Sequence, residues 1–124
     1  MHLNELASLI RTLVDDYEKL IDQGKILKSL HDKEQVDLFI SEASKLLDSS
    51  ARILPEAKLV VSTHSLGDPI VKHISVYYRM LKLISIRYIV DLLEEALPVY
   101  QGMPEVLSEL QRLLAGFKKL EDTL

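Results

Sequence analysis

Four histidines, His2, His31, His64 and His73, are the side chains here best suited to chemistry near neutral pH, because imidazole titrates in that range and binds metals through either ring nitrogen. Metal centres in helical bundles commonly pair a Glu with a His three residues on, which projects both ligands from one face. Lys28, Val61 and Ile70 stand three residues before His31, His64 and His73, so that pairing is missing. His64, Asp68 and His73 form the residual metal candidate, since imidazole nitrogen and carboxylate oxygen are both zinc ligands and the three flank a single turn. The run Ser62-Thr63-His64-Ser65 contains the residue types of a hydrolytic triad, but adjacent residues on a helix do not face one another. Cysteine is absent, which removes thiolate nucleophiles, disulfides and thiolate-bound metals. There is also no glycine-rich loop of the kind that cradles phosphates.

His64-Ser65-Leu66-Gly67 resembles part of the H-x-L-K-G motif of histidine-phosphotransfer domains, which are small acidic helical bundles. The resemblance covers four residues and implies a phosphocarrier with His64 as the phosphoryl acceptor. Gly67 stands where that family has lysine and Asp68 where it has glycine, and Pro69 follows. The departures remove a cation that would stabilise phosphohistidine and add a carboxylate that would repel it. A phosphocarrier, or a small metal-binding protein using His64, is therefore the alternative reading, and no cofactor is expected.

The elements that must position these residues follow from composition and periodicity. At 124 residues the chain fits one domain, residues 1–124, with a core of ordinary size. Hydrophobic residues are 48% and charged residues 27%, which excludes disorder. With only 4 Gly and 4 Pro, turn signals are too sparse for a sandwich or barrel, so an all-α fold is expected. The formal charge of −4 opposes general binding to nucleic acid. Met1-His2-Leu3-Asn4-Glu5 has neither a basic leader nor an apolar run, so cytoplasmic residence is the expectation. A single Asn and no Cys match a depletion often found in thermophiles.

Leu3, Leu6, Ile10, Leu13, Tyr17 and Leu20 define a first helix by three-four spacing, with Gly24 a candidate left-handed cap. Asp32-Lys33-Glu34-Gln35 reads as a capping box that opens a second helix, with the seam Val36, Phe39, Ala43, Leu46, Ser50 and Ile53. Leu54-Pro55 is expected to end it, and a short third helix or extended piece follows through residues 56–65 with His64 on its apolar side. Gly67-Asp68-Pro69 supplies a stop, an N-cap and a first helical residue in turn. A long helix then runs from Pro69 to about Leu97, followed by a last one with the seam Met103, Val106, Leu110, Leu113, Phe117, Leu120 and Leu124. The expected architecture is an up-and-down bundle of four long helices plus a short one.

The segment 69–97 carries apolar residues on two sides when wound at about 100° per residue. Ile70, Ile74, Tyr77, Leu81, Ile84, Tyr88 and Leu92 fall on one face, and Leu83, Ile86, Val90, Leu93 and Leu97 on the other. Charges recur too often along it for a membrane span. It also reverses the order a helix dipole favours, with Lys72, Arg79, Lys82 and Arg87 before Asp91, Glu94 and Glu95. Antiparallel self-pairing would match the two halves, and so would an acidic partner protein for the basic half. The expected role is a non-catalytic interaction or scaffold module that forms a homodimer or higher oligomer, without nucleic acid or membrane. The expected contact surface has Leu83, Ile86, Val90, Leu93 and Leu97 as anchors, with Arg79 and Lys82 set against Glu94 and Glu95.

Overall fold

A computed structural model describes residues 2–124 as helices joined by short turns, with no strand among them. Helix α1 spans Leu3–Gly24 and buries Leu6, Ile10, Leu13, Tyr17 and Leu20 of the seam expected from spacing, with Val14 added and Leu3 only half-buried. It does not stop in a left-handed glycine. Gly24 has φ −69° and leads into a 3₁₀ turn, Lys25–Lys28. The glycine is there for space: a Cβ on it would lie 2.9 Å from Leu92 Cδ1 and 3.0 Å from Phe39 Cε2.

Helix α2 spans Lys33–Thr63, capped by the Asp32 carboxylate, which accepts from the Gln35 backbone N–H at 3.0 Å. The expected break at Leu54-Pro55 does not occur, and residues 56–63 are the last two turns of this one helix. Proline inside a helix removes a hydrogen bond and costs about 3 kcal/mol. Here Pro55 and Ala51, whose carbonyl loses that bond, are both on the solvent side, so the freed acceptor is not trapped in the core. The two turns beyond bury Ala57 and Val60 in the core, which offsets the loss.

A rod of three pieces follows: helix α3 (Pro69–Met80), a π-helical turn (Leu81–Ser85) and helix α4 (Ile86–Ala96). Asp68 caps it by accepting from Ile70 N–H at 2.9 Å, and Pro69 occupies the first turn, as the sequence implies. Turns through residues 97–102 lead to helix α5, Pro104–Thr123.

The four long units alternate in direction along the chain around one core. Helix α1 packs on α2 and α3, α2 also on α3 and α5, and α5 on α4, which closes a four-helix bundle. In it α2 and α5 run side by side in the same direction, Lys33 near Glu105 at one end and Lys58 at the Thr123 carbonyl at the other. Tyr17 and Phe117 meet edge to face at 6.3 Å in its centre. At one end the Tyr100 hydroxyl donates to the Ser29 carbonyl at 3.0 Å, and towards the other Tyr78 donates to the Leu124 carbonyl at 2.9 Å. No helix among the described residues is long and apolar enough to cross a membrane.

Candidate interaction surface

The contact surface expected on the segment 69–97 is divided by the fold. Ile86, Val90 and Leu93 are all 0% exposed inside the chain's own core, and Leu97 is half-buried. Ile86, Val90 and Leu93 pack against the chain's own helices and present no surface to a second molecule while the protein is folded, whereas Leu97 keeps part of its side chain in solvent. Leu83 lies on the opposite side of this division, at 66% exposure. Arg79 is exposed and Lys82 half-buried.

The π turn explains the division. The Ile86 N–H bonds to the Leu81 carbonyl, five residues back instead of four, so one turn of the rod holds an extra residue. A surplus residue rotates everything after it by about 100° relative to an unbroken helical wheel. Wheel positions that Leu83 shares with Val90 and Leu97 therefore part company in space. The other expected face divides likewise: Ile74, Leu81 and Leu92 are buried, whereas Ile84 and Tyr88 are exposed.

What results is a contiguous apolar stripe on the outer side of the rod. Val76 is 53% exposed, Leu83 66%, Ile84 64% and Tyr88 45%, with Tyr77 and Met80 half-buried between them. His73 stacks edge-on against Tyr77, ring centres 4.6 Å apart, and a shallow depression crosses Lys72, His73, Val76, Tyr77 and Met80. The signal for this stripe in the sequence was the excess of apolar residues in the segment, and its centre was hidden by the assumption of constant helical pitch.

Charges frame the stripe unevenly. Arg87 reaches Asp91 at 2.9 Å, Glu121 at 3.1 Å and Glu94 at 3.8 Å, and Lys118 of α5 reaches Glu94 at 3.2 Å. The hydrogen bond that the Arg87 guanidinium donates to Asp91, together with the negative charges of Glu121, Asp91 and Glu94, pushes the guanidinium above its ordinary range. Among the described residues, Lys72, Arg79 and Glu95 make no ion pair within the chain.

The histidines occupy separate places. His64 is exposed just beyond the end of α2, in extended backbone, rather than on the apolar side of a short helix; its Nδ1 lies 3.1 Å from Thr63 Oγ1. The hydroxyls around it are committed to backbone, Ser62 to the Lys58 carbonyl and Thr63 to the Leu59 carbonyl, both at 2.7 Å. Ser65 Oγ accepts from Gly67 N–H at 3.2 Å. His31 sits on its own turn, with Nδ1 2.9 Å from the Ser29 carbonyl. His64, Asp68 and His73 are not brought together, and no group of three or more potential metal-ligating side chains is found among the described residues.

Comparison of the chain with protein-family models, with characterised proteins and with solved structures finds no match to any of them.

Proposed function

We propose that this protein is a non-catalytic interaction module that associates with itself through the outer side of the α3–α4 rod. The observation that carries the reading is the exposed stripe of Val76, Leu83, Ile84 and Tyr88 around the π turn. Isolated apolar residues on a surface are ordinary, and Leu30, Leu38, Leu59 and Leu66 are exposed on other elements. Adjacent ones on one ridge are different, because each Å² left in water forgoes about 25 cal/mol, and covering the ridge recovers it. An apolar centre with a charged rim is also the usual anatomy of a protein interface. Two-fold pairing of like chains is the commonest way such a ridge is covered.

The test is the solution mass by sedimentation equilibrium from low micromolar to several hundred micromolar. A mass that rises with concentration, and that Leu83→Glu returns to the monomer without changing helicity, supports the reading. A monomer throughout the range overturns it.

A further inference from the structure

Resting on that self-association reading, we propose that two copies pair antiparallel across the outer face of the rod, with the two-fold axis passing between Leu83 and Ile84. Along the rod from Lys72 to Glu95 the exposed side chains lie at positions 72, 73, 76, 79, 83, 84, 87, 88, 91, 94 and 95, with Tyr77, Met80 and Lys82 half-buried. Reversed about the point between 83 and 84, every exposed position falls on another exposed one except 87, which falls on half-buried Met80. The reversal places Leu83 over Ile84 of the other copy, an apolar pair at the centre of the π turn. At the ends it places Lys72 opposite Glu95 of the other copy and His73 opposite Glu94, and nearer the axis it sets the Arg79 guanidinium against the Tyr88 ring, a cation–π arrangement.

The charges choose this geometry over its competitors. Parallel pairing would set Lys72 against Lys72 and Glu95 against Glu95, and like charges facing across an interface oppose association. An acidic partner of another kind would use Lys72 and Arg79 and leave Glu95 without a mate. Lys72 and Glu95 make no ion pair among the described residues of their own chain, so a second copy meets them uncommitted. Lys72 also stands in the first turn of α3, next to the positive end of the helix dipole, and a facing carboxylate relieves that unfavourable placement.

Lys72→Glu and Glu95→Lys test the arrangement, both sites being exposed and remote from the core. Alone, each variant faces like charge twice across the two-fold axis and self-associates on the order of tenfold more weakly at low salt. Mixed, the two variants restore opposite charges at both ends and pair with each other to within about threefold of the natural chain. If the natural chain self-associates but the mixture gains nothing over the single variants, the antiparallel arrangement is wrong while the interaction reading stands. A natural chain that never self-associates overturns both. The absence of cysteine allows a second readout: Val76→Cys and Asp91→Cys chains, mixed and treated with a short bis-maleimide, should couple to each other. Coupling of Val76→Cys only to itself would overturn the antiparallel pairing.

Discussion

The Tyr17 hydroxyl lies 2.8 Å from Ser50 Oγ at the centre of the bundle, tying α1 to α2 through a polar contact with both residues 0% exposed. Ser50 spends its own proton on the Leu46 carbonyl at 2.7 Å, so the phenol is the donor between them. Burial pushes the Tyr17 phenol above its ordinary value of 10.0. Burial likewise raises Tyr78 and Tyr100. The fold keeps these phenols protonated, whereas the unfolded chain releases their protons near pH 10.0. Their contribution to stability is therefore constant below that pH and declines as pH rises through and beyond it. Denaturant titrations from pH 8 to 11.5 should show that decline, and in Tyr17→Phe it should be shallower by up to about 1.4 kcal/mol per pH unit. At neutral pH the same variant should lose about 0.5–1.5 kcal/mol for the missing hydrogen bond.

Two glycines should respond oppositely to alanine. At Gly24 the new methyl meets Leu92 and Phe39, both buried, so either can give way only by displacing core neighbours. Gly24→Ala should destabilise by about 1–3 kcal/mol through overpacking. At Gly116 the methyl would meet only the Leu47 side chain, which is half-buried and ends in a flexible isobutyl group. Its displacement should roughly cancel the gain of about 1 kcal/mol in helix propensity, leaving Gly116→Ala within about 0.5 kcal/mol of the natural chain. Parallel thermal melts separate the two outcomes.

Glutamate substitutions in the rod should divide as its exposure divides. Leu83→Glu lies in solvent and should change folding stability by no more than about 0.5 kcal/mol while abolishing self-association. Val90→Glu forces a carboxylate into a site that is 0% exposed and should cost more than about 3 kcal/mol, lost as helical signal in circular dichroism. The wheel of an unbroken helix predicts the opposite for Val90, helicity kept and an oligomer split.

Pro55→Ala should stabilise the protein by about 1–2 kcal/mol, since it regains a helical hydrogen bond worth more than the entropy the proline removes from the unfolded chain. Chemical denaturation of the variant beside the natural chain measures the difference. A loss of stability would show that the backbone path imposed by Pro55 is needed to seat Ala57 and Val60.

The legible parts of this fold are those governed by repetition. The seams of α1, α2 and α5 and the Asp68-Pro69 start of the rod all follow from spacing and capping chemistry, because they depend on residues within one or two turns. Pro55 was not legible as a helix interior, since local proline chemistry favours a stop and the compensating burial of Ala57 and Val60 is tertiary. The candidate surface was half legible. An apolar excess in residues 69–97 is visible in composition, and the basic-to-acidic gradient is visible in order. Ile86, Val90 and Leu93 were misplaced because the sequence carries no local mark, such as Gly or Pro, of the widened turn at Leu81–Ser85.

That widened turn amounts to a single-residue insertion accommodated by an otherwise ordinary helix. Excising one residue there would let the Leu81 carbonyl close onto a neighbour four positions on, with the core contacts of α3 and α4 each retained. The bulge that sets Leu83 and Ile84 side by side would vanish with it, so the feature we propose as the meeting point of two molecules is separable from the one that folds each of them.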